Sequence, residues 1–300
     1  MAKNIETNSM KAWLLAARPK TLTGAAVPLM LGTALALKEA GGQIRLVPTV
    51  LCFLFAFLMQ IDANFVNDYY DFVRGNDDET RLGPARACAM GWTTLAAMKV
   101  AIVLTTGAAC LVGLPLVLFG GWQMVIVGAA CVLFCFLYTT TLSYLGLGDL
   151  LVLLFFGLVP VCLTYYLAMP SELPGFTWEV LVTSLACGLV IDDLLIINNF
   201  RDIDNDLRAG KKTLIVRLGR ERGLYLYLTV GLVAWLTSAI YLFEGHPFAF
   251  VLPLVYVVLH VKTYQEMRKI YQGKELNRIL GKTARNMFLY GLLTSLGLLI

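Results

Sequence analysis

Charge is scarce in this chain and histidine is scarcer. Charged residues make up 15% of the 300, and histidine occurs twice, at His246 and His260. Soluble domains are nearer a quarter charged, so the composition argues against a water-exposed globule. With two histidines, a zinc centre built on imidazoles has few ligands to draw on. The seven cysteines, Cys52, Cys88, Cys110, Cys131, Cys135, Cys162 and Cys187, are odd in number and lie mostly in apolar segments. That pattern argues against a disulfide framework. Cys131 and Cys135 share a helix face, but lack further ligands nearby and read as packing residues. No low-complexity stretch and no soluble domain interrupts the chain, so residues 1–300 read as a single membrane domain.

Long apolar runs are what the chain has in abundance, with 58% hydrophobic residues. Runs of spanning length recur. They predict an all-α polytopic membrane protein with nine transmembrane helices, near 20–38, 47–68, 94–118, 121–140, 147–168, 178–199, 224–243, 247–265 and 282–300. Gly146-Leu147-Gly148-Asp149 is the break that divides the run 121–168. Basic residues give an independent reading. Of the 24, 22 fall in the segment before the first helix or near the loops after helices 2, 6 and 8, and only Lys38 and Arg45 fall on the other side. By the positive-inside rule the N-terminal segment 1–19 is cytoplasmic and the C-terminus is outside. The net charge of +4 follows from this topology and contact with anionic lipid, and is no argument for nucleic acid.

Two acidic clusters stand out, both expected where a long apolar helix ends on the cytoplasmic side. The first is Asn64-Phe65-Val66-Asn67-Asp68-Tyr69-Tyr70-Asp71, with Asp77, Asp78 and Glu79 beyond it. The second is Asn198-Asn199-Phe200-Arg201-Asp202-Ile203-Asp204-Asn205-Asp206, followed by Lys211 and Lys212. In each, an Asn precedes an Asp by four residues, which puts both on one helix face. Asp71 and Asp206 extend the two faces. Both pairs are separated by 134 residues, and an Arg-Leu-Gly follows each, at Arg81–Gly83 and Arg217–Gly219. A weak internal repeat of two helix-loop modules facing one cavity fits this spacing.

Crowded carboxylates at a membrane boundary are costly unless a cation joins them. Their hard oxygens suit Mg²⁺, which keeps some water and also takes substrate phosphates. The candidate metal ligands are Asn64, Asn67, Asp68, Asp71, Asp77, Asn198, Asp202 and Asp206. A diphosphate between them would find cations at Arg74, Arg201, Lys211, Lys212 and Arg217. Metal and cations together stabilise diphosphate leaving an allylic carbon. The carbon's developing charge calls for a dry, electron-rich surround, with Tyr69, Tyr70, Tyr138, Tyr144, Phe155 and Phe156 as candidates. The bland alternative is that Asp and Asn cap helices or face water, and topology alone would place the basic residues there. Asp192 and Asp193 interrupt an apolar span, and belong to a polar cavity or else the helix register is wrong.

These segments resemble the UbiA superfamily of membrane prenyltransferases. Asn67–Asp71, Arg81–Ala87, Tyr144–Asp149 leading to Phe155-Phe156-Gly157, Asn198–Asp202 and Ala209–Gly219 carry the match, together with Ala17–Leu22. The Gly-Pro and Gly-Leu-Gly-Asp segments point to its 1,4-dihydroxy-2-naphthoate branch in menaquinone biosynthesis. The resemblance implies a nine-helix fold around a central cavity in a bacterial inner membrane. It also implies Mg²⁺-dependent transfer of a prenyl group from polyprenyl diphosphate to the naphthoate, with loss of CO₂. By that resemblance Asn64, Asp68 and Asp71 serve one Mg²⁺, and Asn198, Asp202 and Asp206 the other. Asp149 is either a helix cap or the base that takes a hydroxyl proton from the acceptor. Other ring acceptors, such as 4-hydroxybenzoate or homogentisate, are the near alternatives. A divalent-cation transporter is the alternative of another class, although it should carry acids lining a path to both faces.

Overall fold

The computed structural model describes residues 5–77, 81–170 and 175–300. Lys3, Asp78, Glu79 and Glu172 lie outside the described residues. A short helix α1 (Met10–Ala17) precedes α2 (Leu22–Glu39) and α3 (Leu46–Val73). Then come α4 (Leu95–Gly120), α5 (Gln123–Leu142) and α6 (Gly148–Ala168). The long α7 (Trp178–Arg208) is followed by α8 (Leu214–Phe243), α9 (Phe248–Ile270) and α10 (Leu276–Leu299). Helices α2 to α10 occupy the nine expected spans. Eight segments, ending with α9, are long and apolar enough to cross a membrane. α10 has 24 residues but bears Arg278, Lys282 and Arg285 in its first half.

Two boundaries differ from the sequence reading in a way that matters. The motif helices do not end at their motifs. α3 continues to Val73 and α7 to Arg208, where hydropathy placed the ends at 68 and 199. Hydropathy marks the edge of the hydrocarbon, whereas the backbone ladder continues wherever residues keep helical geometry. The clusters therefore lie on rigid helix surface. The segment 1–19 also holds structure. Ser9 caps α1 by accepting the Ala12 N–H at 3.3 Å, and the helix breaks at Arg18, with φ 51°, before Pro19. Trp13 of α1 packs edge-on against Phe65 of α3, with centroids 5.8 Å apart.

α7 is the central post. Val180, Ala186, Cys187, Val190 and Ile191 are buried in a core shared with α2, α6, α8 and α10. Its register is the expected one, and both awkward acids find places. Asp193 faces His260 Nδ1 at 3.6 Å and accepts from Tyr256 at 3.4 Å, while Asp192 turns towards α6. His260 also meets the Tyr227 carbonyl at 3.1 Å, which makes it the packed helix residue expected. At the far end Lys38 pairs with Glu179 at 2.5 Å. Val103, Leu104, Leu111 and Leu118 of α4 and Val125, Ile126 and Leu133 of α5 are exposed. Outward apolar side chains of this kind suit lipid.

α6 approaches α7 backbone to backbone. A Cβ at Gly157 would lie 2.6 Å from the Ser184 carbonyl oxygen and 2.9 Å from Gly188 Cα. Gly157→Ala is expected to destabilise the protein by about 1–3 kcal/mol through overpacking. A lower thermal midpoint in detergent checks this, and an unchanged midpoint would show that the two helices can separate at no cost.

Candidate functional site at the polar end of an apolar cavity

A cavity of about 1850 Å³ opens among α2 to α7 and α10. Its walls are apolar, with Phe55, Met59, Met124, Phe134, Phe155, Phe156 and Leu167 among them. α8 and α9 contribute no lining residue among those described and buttress α7 from behind. At one end the lining turns polar through Arg18, Lys20, Asn67, Thr139, Asn198 and Asn277. The two acidic motifs thus meet at one site, each offering an asparagine to the cavity.

Around that end each acid faces a base. Asp71 lies 3.5 Å from Arg86, Asp206 lies 3.5 Å from Lys211, and Asp77 pairs with Arg81. Arg201 grips Asp202 through Nε at 2.8 Å and Nη2 at 2.5 Å. Asp68 is fully buried, accepts the Ala87 and Cys88 N–H groups at 2.9 Å each, and lies 3.6 Å from Arg18. Asn64 donates to the Ala17 carbonyl at 2.9 Å and to Thr21 Oγ1 at 2.8 Å. Asp68 and Asn64 therefore fasten neighbouring chain here, a task the motif reading did not assign them.

The two modules touch through Tyr144. Lys211 Nζ and Arg74 sit 5.3 Å and 5.2 Å from its ring centre, and its hydroxyl accepts from Asn76 Nδ2 at 2.5 Å. Burial disfavours the Lys211 charge, but Asp206, Asp71 and the Tyr144 hydroxyl outweigh it and hold its pKa above the usual value. Burial pushes the Asp77 carboxyl up to about 6, with Arg81 pulling the other way. Asn67 accepts from Thr139 Oγ1 at 2.7 Å, next to Tyr138 in a π-helical turn, Tyr138–Leu142. Such turns often occur at functional sites.

Several expected substrate contacts are placed elsewhere. Tyr70 packs edge-on with Tyr69 at 5.2 Å in the core beneath α1, away from the cavity. The Tyr144 ring is flanked by two cations, so only Tyr138, Phe155 and Phe156 of the candidate rings line the cavity. Arg217 donates to the Leu145 carbonyl at 2.9 Å, and the Lys212 N–H donates to the Tyr144 carbonyl at 2.9 Å. Both residues are exposed and tie two loops together. Gly146, at φ 78°, makes that junction possible, since a Cβ there would meet the Lys212 carbonyl oxygen at 2.0 Å. Asp149 does not occupy the N-cap of α6, which falls on Leu147, but lies in the helix's first turn. One of its oxygens is buried without a hydrogen bond, as is one of Asp192, and the two carboxyls act on each other electrostatically. A cleft of about 20 Å³ beside Asp149 is lined by Tyr138, Ser143, Asn199 and Thr213. Sequence reasoning missed Asn277 and Arg285 on α10 because a lone polar residue in an amphipathic stretch carries no motif.

The oxygen donors fit a hard divalent cation. No three His, Cys, Asp or Glu side chains converge among the described residues. That agrees with an ion held by one or two carboxylates, water and substrate phosphate. Loosely paired atoms of both signs lie here: Asp77 Oδ2, Arg18 Nη2, and Arg86 Nε and Nη1 are buried without a hydrogen-bond partner, although Arg18 Nη2 faces Asp68 at 3.6 Å and Arg86 Nε faces Asp77 Oδ2 at 3.8 Å.

Residues 25–292 match the model of the UbiA prenyltransferase family. The 1,4-dihydroxy-2-naphthoate octaprenyltransferase of Escherichia coli (strain K12) is 34% identical, over 97% of this chain and 96% of that one. The enzyme of the same name from Mycobacterium tuberculosis (strain ATCC 25618 / H37Rv) is 33% identical, over 95% of each chain. A UbiA homolog from Archaeoglobus fulgidus, solved bound to DMAPP and Mg²⁺, has a similar fold. Its TM-score is 0.61 at 16% identity, covering 93% of this chain and 97% of that one. With the helical cavity and paired acidic motifs, these findings show that the chain belongs to the UbiA prenyltransferase family.

Proposed function

We propose that this protein transfers a polyprenyl group from its diphosphate to 1,4-dihydroxy-2-naphthoate, releasing diphosphate and CO₂ and giving demethylmenaquinone. The observation that carries the reading is the convergence of both acidic motifs on the polar end of a large apolar cavity. The naphthoate relatives supply the acceptor. Family membership sets aside the cation-transporter alternative. The protein acts as a single multi-pass domain in a bacterial inner membrane, with the N-terminus and both motifs cytoplasmic and the C-terminus outside.

Asn67, Asp71, Asn198, Asp202 and Asp206 would hold Mg²⁺, with Asp77 close behind. When bound, the ion neutralises charge on the diphosphate and makes it a better leaving group. Arg74, Arg201 and Lys211 meet the remaining phosphate oxygens. The apolar walls take the isoprenoid tail and keep water from the reacting carbon. Tyr138, Phe155 and Phe156 present ring faces to the positive charge that develops there. Asp149, with an oxygen free of hydrogen bonds, takes the proton from the acceptor hydroxyl as the ring attacks.

Mass spectrometry of products from purified protein, Mg²⁺, the naphthoate and a series of prenyl diphosphates tests the whole reading. Prenylation of 4-hydroxybenzoate or homogentisate, but not of the naphthoate, would replace the acceptor. Asp202→Asn and Asp71→Asn are expected to lower turnover ~100-fold or more while the protein stays folded in membranes. Near-normal rates at low Mg²⁺ in either variant would remove that residue from the site. Lys211→Ala should raise KM for the prenyl diphosphate about tenfold and leave KM for the naphthoate nearly unchanged; equal effects on both would mark Lys211 as structural. Asp149→Asn preserves shape but cannot act as a base, so turnover should fall across a pH series. Normal turnover over that series would sink the base assignment.

A further inference from the structure

Among the described residues, three cations line the cavity: Arg18, Lys20 and Arg285. Arg18 faces Asp68 at 3.6 Å, and Lys20 lies in the short turn Pro19–Thr21 at the entry to α2. Arg285 is differently placed. It shares the cavity-lining side of α10 with Asn277, Gly281, Ala284 and Phe288. The topology that puts basic residues on α10 leaves Lys282 to pair with Glu266 on α9, yet turns Arg285 into the cavity. Where Arg81, Arg86, Arg201 and Arg220 each pair with an aspartate, Arg285 donates to a neutral amide. Its Nε and Nη2 lie 3.4 Å and 3.0 Å from Asn286 Oδ1. Asn286 is held in turn through its Nδ2 by Thr263 Oγ1 at 2.9 Å. The guanidinium is thus oriented without being neutralised.

Depth follows from the register of α7 and α10. Arg201 Nη1 donates to Asn277 Oδ1 at 2.9 Å, which fixes the two antiparallel helices at the polar end. Arg285 lies eight residues further along α10, about 12 Å by helical rise. Asn198 lies three residues from Arg201, about 4.5 Å in the same direction. Along the helix axes Arg285 therefore sits about 7.5 Å deeper than Asn198, nearest the level of Asp193 and Leu194. Arg285 is exposed and faces the cavity, and a cation on an otherwise apolar wall inside a helical bundle marks a functional candidate.

We propose that Arg285 holds the ring carboxylate of the acceptor. The assignment rests on the prenyltransferase reading above and adds the place of the acceptor within it. The diphosphate has its own cations at the shallower level. An aromatic carboxylate is the anion that also needs apolar flanks, which Leu194, Leu195, Ala284 and Phe288 provide. Nη1 of Arg285 is not committed to Asn286, and it leads a fork suited to carboxylate oxygens. Holding that carboxylate fixes the ring carbon bearing it, which is the carbon the prenyl group must reach.

The test uses the full-length protein with Mg²⁺ and one prenyl diphosphate. It compares 1,4-dihydroxy-2-naphthoate with 1,4-naphthalenediol, the same ring without the carboxylate, as substrate or as competitive inhibitor. Arg285→Gln should raise KM for the naphthoate about tenfold or more, leave KM for the prenyl diphosphate within about twofold, and leave the diol constant unchanged. Arg285→Lys, which keeps the charge, should recover part of the loss. Equal weakening of the naphthoate and the diol, or a raised KM for the prenyl diphosphate, would overturn the assignment. So would an unchanged acceptor KM with an altered dependence on anionic phospholipid, which would make Arg285 a headgroup contact. Failure of wild-type protein to prenylate the naphthoate would instead overturn the underlying reading.

Discussion

Charge at the edge of an apolar cavity has to be matched locally, and the polar end of this molecule is organised by that requirement. In a medium of low dielectric an unpaired carboxylate costs several kcal/mol. Asp68, Asp71, Asp77, Asp202 and Asp206 accordingly face Arg18, Arg86, Arg81, Arg201 and Lys211. The pairs are not equivalent. Asp202 is clamped in a bidentate way and Asp68 is saturated by backbone N–H groups, whereas Asp71 and Asp206 meet their cations only at 3.5 Å. The loosely held acids are those best able to exchange a basic partner for a metal ion. The bases so released would lie beside an incoming phosphate.

Much of this was legible in the sequence, because hydropathy and charge report on the solvent each segment meets. The nine long helices among the described residues, eight of them apolar enough to span a membrane, the break at Gly146–Asp149 and the pairing of the two motifs all follow from those signals. Helix length was not legible, since α3 and α7 continue beyond the hydrocarbon, where hydropathy carries no information. Individual partners were not legible either. Asp68 and Asp202 are equivalent in the repeat, yet one caps a loop through Ala87 and Cys88 while the other binds its own neighbour Arg201. Such choices are made by chain that arrives from elsewhere in the fold. Arg217 and Lys212 show the same limit, since topology explains their charge while the Tyr144 loop explains their position.

The acids that were unexpected in the sequence have distinct physical settings. Asp62 accepts from Thr106 at 2.8 Å between α3 and α4. Asp193 belongs with His260 and Tyr256 on the side of α7 away from the cavity. His260 Nε2 faces the Tyr227 and Leu228 carbonyls at 3.1 Å and 3.3 Å, so that nitrogen carries the hydrogen. Nδ1 is then left facing Asp193 at 3.6 Å, as an acceptor. Asp192, one residue earlier, turns to Asp149, which lines the small cleft next to Tyr138. A single pair of adjacent acids thus serves the rear packing of α7 with one member and faces Asp149 of α6 with the other.

Both motifs converge on the segment between α3 and α4. Asp68 of the first motif receives the Ala87 and Cys88 N–H groups. Arg201 of the second binds Asn277, whose Nδ2 donates to the Leu82 carbonyl at 2.8 Å. Gly83 lies against the same guanidinium, with 3.0 Å between its would-be Cβ and Arg201 Nη2. Between these two anchors Pro84 and Ala85 line the cavity, while Arg81 and Arg86 turn to Asp77 and Asp71. The segment is therefore fixed at one end by each module, and its middle forms part of the cavity wall. An ion or phosphate that changed the pairing of Arg201 would act on one anchor directly, and one that changed Asp71 would act on Arg86, beside the other. Arg201, proposed to meet the diphosphate, is in this way also one of the two anchors of the wall, so the site and its wall share that residue.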